Sequence, residues 1–269
     1  MPIGAFEAEI LRLLAANRNP ESFIGGATVL NQPADSPRAS EDIDVFHDSE
    51  ASLQKSVEQD LRTLHADGFE VSVLLSRPSF HRAQVSKESQ TSKIEWVHDS
   101  AFRFFPVETD DLMGYRLNLW DAATNKVLAG VGRGVVRDYV DLIYLHESRL
   151  SLGALIWAAA GKDPGLNPDF IREEMMRTQR YDPQTYQSLK LSRPVDPFTL
   201  KKIWLEAIRE ARDLFDLLLD MDAPYGCFFL NDKDVPQTPT RETLATLRPH
   251  YGSLRGCWPR IVEEEGQTS

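Results

Sequence analysis

The chain has 269 residues, 42% hydrophobic and 26% charged, a globular make-up that excludes a disordered or fibrous protein and allows one large or two modest domains. With 30 Lys and Arg against 41 Asp and Glu the net charge is −11, which argues against broad, sequence-independent binding of nucleic acid but leaves room for a local basic groove. Cys227 and Cys257 are the only cysteines and have no zinc-type spacing, so a cytoplasmic location is expected.

Residues 5–16 place Phe6, Ile10, Leu11, Leu13 and Leu14 at helical intervals, and the acidic Glu7 and Glu9 in the same run argue against a signal peptide. A strand or turn at Phe23 and Ile24 leads into Gly25 and Gly26, and residues 31–39, with two prolines, Asp35 and Ser36, read as a loop. Residues 42–46 read as a strand, with Asp42 and Asp44 on one face while Ile43, Val45 and Phe46 supply apolar packing. Leu53, Val57, Leu61 and Leu64 then predict a helix over residues 49–66, stopped at Gly68.

Three short stretches, 69–76, 79–86 and 92–97, are rich in Val, Ile and aromatics and predict neighbouring strands of one meander. The β-rich part is expected to end near Val107, with helices over 112–130 and 137–147. Beyond 148 the pattern is helical: 150–161, too short to span a bilayer; 168–180; and 197–222, with Pro197 in the first turn and Trp204, Phe215 and Leu218 in a core-type stripe. Residues 225–269 give no firm assignment. The expected fold class is α+β, a small mixed sheet flanked by helices over residues 1–148 followed by a mainly helical domain over 149–269, with no segment that enters a membrane.

Two carboxylates on one strand face repel unless a cation lies between them, and hard oxygen ligands suit Mg²⁺ or Mn²⁺. A Gly-Gly turn running into a helix suits phosphate. Asp42 and Asp44 with Gly25 and Gly26 therefore predict a site for transferring a nucleotide, although paired glycines also serve simply as a tight turn. In Lys93-Ile94-Glu95-Trp96, Lys93 and Glu95 share a face. If this strand neighbours the one bearing Asp42 and Asp44, Glu95 becomes a third metal carboxylate and Lys93 a phosphate partner. Thr28 is open between a phosphate contact and a helix cap. Asp138 and Asp141 share a helix face that Lys126 can reach, as either site or scaffold, and Arg137 with Asp141 is spaced for an i,i+4 pair. The six histidines have no ligand spacing, and no Walker loop, dinucleotide glycine motif or Gly-x-Ser-x-Gly occurs.

Gly25-Gly26, Arg38-x-Ser40-x-Asp42-Ile43-Asp44, Lys93-Ile94-Glu95, Lys126 and Arg137-Asp138-x-x-Asp141-Leu142 together resemble the nucleotidyltransferase superfamily with the DNA polymerase β type of core. More narrowly, they resemble the AbiEii/AbiGii toxin family of bacterial toxin–antitoxin pairs, over about residues 20–145. The resemblance implies an NTP substrate with Mg²⁺ or Mn²⁺ and metal ligands Asp42, Asp44 and Glu95. It further implies a triphosphate turn at Gly25 and Gly26, with Thr28, Ser40 and Lys93 beside the nucleotide, and catalytic roles for Lys126, Asp138 and Asp141. Glu95 stands where an Asp is more usual, and Ala27 where a hydroxyl residue often follows the glycines. The implied function is transfer of an NMP to a hydroxyl acceptor, tRNA or another RNA among the candidates, by a toxin that has an antitoxin protein as partner. The alternative is a nucleotide- or partner-binding protein that keeps the scaffold and has lost turnover.

Overall fold

Short apolar alternations build a mixed sheet, and longer amphipathic runs build the helices around it. The computed structural model describes residues 3–40, 42–178 and 181–259. In chain order the elements are α1 (Ala5–Leu14), β1 (Ser22–Ile24), α2 (Gly26–Leu30), β2 (Asp42–His47), α3 (Glu50–Ala66), β3 (Glu70–Arg77), β4 (Phe80–Lys87) and β5 (Gln90–His98). There follow β6 (Phe102–Arg103), β7 (Glu108–Asp110), β8 (Gly114–Arg116), α4 (Leu119–Arg133), α5 (Val136–Ser148), α6 (Leu152–Ala159), α7 (Pro168–Thr178) and α8 (Pro197–Asp220). The chain closes with β9 (Cys227–Leu230), β10 (Pro236–Gln237), β11 (Arg248–Tyr251) and β12 (Ser253–Leu254).

The main sheet has seven strands in the order β3-β4-β5-β2-β1-β8-β7. Strands β3 to β5 form the expected meander, and β5 then runs parallel to β2, which is antiparallel to β1. Alternation divides the two faces. Ile43, Val45, Ile94, Trp96, Ala83 and Val85 are buried in the core, where α1 and α3 pack on the sheet. Asp42, Asp44 and Phe46 point to the other face, so Phe46 shares the side of the carboxylates rather than that of Ile43 and Val45. Ser49 caps α3 by accepting from Ser52 N–H, and Asp196 caps α8 ahead of Pro197.

The sheet does not end at Val107: β7 and β8 extend it to Arg116, and α4 begins only at Leu119. Asn118 sets that start by accepting from Trp120 N–H. The last two residues of the expected 168–180 helix lie outside the described residues. Helices α4, α6, α7 and α8 pack together, with Trp204, Phe215 and Leu218 buried among them. The expected boundary at 148 falls between α5 and α6.

The segment from 225 onward forms strands as well. β9, β10 and β11 make a three-stranded sheet, and β12 pairs with β6. His250 Nε2 lies 2.8 Å from the Phe104 carbonyl, and Arg255 ion-pairs with Glu21, so the C-terminal part returns to the N-terminal sheet. Cys227 is buried and Cys257 exposed, both as free thiols. No described helix is long and apolar enough to cross a membrane.

Candidate functional site

The polar face of β2 and β5 opens into a cavity of about 510 Å³. Asp42, Asp44, Glu95, Gly26, Ser40 and Lys126 all line it. Register decides the geometry: Asp44 stands opposite Glu95, Asp42 opposite Lys93, and Phe46 opposite Val97. The antiparallel partner β4 continues these rows with Arg82 beside Glu95 and Phe80 beside Val97. The floor is therefore an acidic row followed by an aromatic one, with Phe23 stacked on Phe46 at 6.4 Å between ring centroids.

Desolvation of the half-buried Asp44 carboxyl on the cavity wall, reinforced by the Glu95 charge, pushes it up to about 7. Among the described residues its carboxylate makes no hydrogen bond or ion pair, whereas Asp42 lies 3.7 Å from Arg137. Gly26 makes this packing possible. Its φ of +61° suits glycine, and a Cβ there would collide with the Asp44 carboxylate. Gly25 is close-packed too, since a Cβ would sit 2.5 Å from the Phe46 ring. The turn thus fits its backbone against the acidic strand.

Thr28 and Ser40 serve the strand from beneath. Thr28 Oγ1 and Ser40 Oγ lie 3.1 Å apart, and both donate to the Asp42 carbonyl, at 3.1 and 2.9 Å. Thr28 is buried and does not line the cavity. The loop ahead of β2 is strapped by residues from beyond α7: Ala39 N–H donates to the Lys190 carbonyl at 3.0 Å, and Ser192 N–H to the Pro37 carbonyl at 2.8 Å. Lys93 is exposed and lies off the cavity wall, although Asp42, opposite it on β2, lines the cavity.

Lys126 is almost wholly buried, with Nζ 2.8 Å from Asp138 and 3.0 Å from Asp141. Arg133 Nε donates to Asp138 at 2.7 Å, and Arg38 grips Asp141 through two bonds of 2.6 Å. Burial alone would raise both carboxyls, but Lys126 and its arginine partners outweigh it and hold Asp138 and Asp141 below the usual carboxylate range. These two aspartates do not line the cavity; they fix the cations that do, Lys126, Arg133 and Arg38. The expected Arg137–Asp141 helix pair does not form, since Arg38 takes Asp141 and Arg137 turns to Asp42.

Residue type and spacing had not pointed to Arg82, Arg133 or Lys162. Arg133 and Lys162 line the cavity. Lys162 is anchored 2.8 Å from Asp121 and 2.7 Å from Asn125. Arg82 places two nitrogens 2.8 and 2.7 Å from one Glu95 oxygen. The only signal was basic residues at scattered positions. Of the histidines, His47 lies at the wall, but burial and then the Arg18 charge push it down to about 3, leaving it neutral.

The donor chemistry suits a divalent cation. Asp42 and Asp44 offer hard oxygens from one strand face, and Asp44 has no internal cation in bonding contact. Glu95 adjoins them but is held by Arg82, and among the described residues no three His, Cys, Asp or Glu side chains converge closely enough to hold an ion together. Asp42 and Asp44 are therefore the pair that would hold the metal, with Glu95 within one strand spacing.

The mixed sheet that carries Asp42 and Asp44 beside a glycine turn, closed by a helical region, has a nucleotidyltransferase-like fold by its likeness to a solved structure. Among solved structures the chain is similar to MenT4, a nucleotidyltransferase toxin from Mycobacterium tuberculosis, at 16% identity over 77% of this chain and 82% of that one, with a TM-score of 0.57. It also aligns with a candidate nucleotidyltransferase from Helicobacter pylori at 19% identity over 80% of this chain and 95% of that one, with a TM-score of 0.49. No protein-family model and no curated protein matches the sequence.

Proposed function

We propose that the chain is a metal-dependent nucleotidyltransferase that moves an NMP from an NTP to a hydroxyl acceptor. The observation that supports it most is Asp42 and Asp44 beside the Gly26 turn, which packs directly against Asp44, in a cavity also lined by Lys126, Arg133 and Arg137. One side of a nucleotide is anionic and the other aromatic, and the cavity offers cations near Asp42 and the Phe46–Val97–Phe80 row beyond Asp44.

In this reading Asp42 and Asp44 hold Mg²⁺ or Mn²⁺, and Arg133 and Arg137 take up the charge of the outer phosphates. When bound, the ion supplies Lewis-acid neutralisation of the triphosphate and lowers the pKa of the attacking hydroxyl. The acceptor oxygen forms its bond to the α-phosphorus as the bond to the β-bridging oxygen breaks. Pyrophosphate leaves, and the hydroxyl proton passes to a carboxylate of the acidic row. Gly26 keeps the turn close to Asp44, while Thr28 and Ser40 fix the backbone at Asp42.

The experiment is transfer of label from each α-labelled NTP to total cellular RNA, a tRNA pool included, and to protein. Wild type should label an acceptor, and Asp42→Asn and Asp44→Asn should not. Equal labelling by both variants would refute the assignment. The fold likeness to MenT4 and the sequence resemblance support the further reading that the chain is a toxin countered by an antitoxin protein. Expression of wild type should then arrest growth, while Asp44→Asn should not. The hold of Arg82 on Glu95 favours a second reading, a nucleotide-binding protein without turnover, which predicts Mg²⁺-dependent NTP binding with no release of pyrophosphate.

A further inference from the structure

We propose that Arg82 is a latch on the metal site: its guanidinium competes with the divalent cation for Glu95, and the third carboxylate joins Asp42 and Asp44 only when Arg82 lets go. The inference rests on the metal reading above and concerns only residues of this chain. Asp44, Glu95 and Arg82 occupy one row across β2, β5 and β4, so Glu95 has an acid on one flank and a base on the other. Facing side chains on adjacent strands lie within reach of each other, so small torsional changes can carry Glu95 between its two neighbours.

Both Arg82 contacts go to a single oxygen, Glu95 Oε1, at 2.8 Å from Nε and 2.7 Å from Nη2. In that position the three carboxylates do not converge. Glu95, with one more methylene than Asp, has the length to reach Arg82 and to swing back. Nor is the hold strong. The Arg82 side chain is 41% exposed and that of Glu95 19%, and an ion pair so close to solvent is worth only about a few-fold in an equilibrium constant. The Arg82 guanidinium also lies 5.3 Å from the Phe80 ring centroid, which gives it a resting place over the aromatic row once it releases Glu95.

Mn²⁺ titration of the full chain, read by electron paramagnetic resonance, tests the latch without any acceptor. Arg82→Gln should tighten Mn²⁺ binding about threefold, and the gain should vanish in the Glu95→Gln background. No gain, or weaker binding, would overturn the latch while leaving the metal site standing. An equal gain in the Glu95→Gln background would overturn it too, because the effect would then be the general field of a removed charge. No Mn²⁺ binding by any variant would bring down the metal reading and the latch with it. Where Glu95→Gln binds too weakly to titrate, anomalous scattering from Mn²⁺-soaked crystals of Arg82→Gln decides. Glu95 within the coordination shell supports the latch, and Glu95 turned away overturns it.

Discussion

Asp44 and Glu95 face each other across parallel strands β2 and β5, and the proximity of the two acids adds to the desolvation that raises Asp44. The protein thereby carries a destabilised group on the wall of its cavity. Such a group costs stability when charged, and a cation relieves that cost.

The pH dependence follows in sign from Asp44. Its native carboxyl titrates at about 7 against an ordinary 3.8, so between these values the folded chain holds a proton that the unfolded chain has released. Stability from this group falls as pH rises through that window and levels off above it. In EDTA, Asp44→Asn should match wild type near pH 4 and be more stable by about 2 kcal/mol at pH 8, once the pKa change is discounted for water in the cavity. Urea unfolding at both pH values checks this. Mg²⁺ should then stabilise wild type at pH 8 and leave Asp44→Asn unmoved.

Gly26→Ala tests the turn. Alanine at a φ of +61° is strained, and its Cβ meets the Asp44 carboxylate. A loss of about 1–3 kcal/mol in thermal unfolding is expected. Because Asp44 must move, Mn²⁺ affinity should also drop at least tenfold, whereas Gly68→Ala, with a φ of +81° and open space for the Cβ, should reproduce the strain without the affinity loss.

What the sequence made legible and what it hid divide along physical lines. Helix α3 and the β3–β5 meander were readable because Leu53, Val57 and Leu64, and then alternating Ala83, Val85, Ile94 and Trp96, carry their periods locally. Asp42 and Asp44 were readable as a pair because they are two residues apart on one strand, whereas Gly26 meets Asp44 through the pairing of β1 with β2. The position of Glu95 was conditional, since nothing local states that β5 pairs with β2. Strands β7 and β8 are too short to show a period; β8 falls inside the helix expected over 112–130, which begins only after the Asn118 cap, and β7 lies just ahead of it. Asp141 shows the limit most clearly. Its near neighbour Arg137 had the right spacing, yet Arg38, from a loop held by residues 190–192, reaches it instead.

Lys126 carries a structural cost that must be separated from chemistry. It sits between Asp138 and Asp141, all three nearly inaccessible. Removing one member of a buried charge network leaves uncompensated charge, so Lys126→Ala should lose about 3 kcal/mol of stability. Circular dichroism melts would show it. Its inactivity alone would then say nothing of catalysis, and Lys126→Arg, which keeps the charge, is the variant in which transfer should be compared.

Arg137 offers the cleaner probe of the phosphate side. Its side chain is 36% exposed, lines the cavity and stands 3.7 Å from Asp42, so its loss leaves no buried charge unpaired. A charge-assisted contact to phosphate is worth about 1.5–3 kcal/mol, which corresponds to about tenfold or more in affinity. Arg137→Gln should therefore weaken NTP binding about tenfold by calorimetry while its melting temperature stays within about 2 °C of wild type. Binding of a nucleoside without phosphates should be unchanged if, as proposed, the guanidinium serves the anionic end and the Phe46–Phe80 row the base. If nucleoside and NTP weaken together, Arg137 contacts the base or shapes the whole cavity, and the division into a cationic and an aromatic end would have to be redrawn.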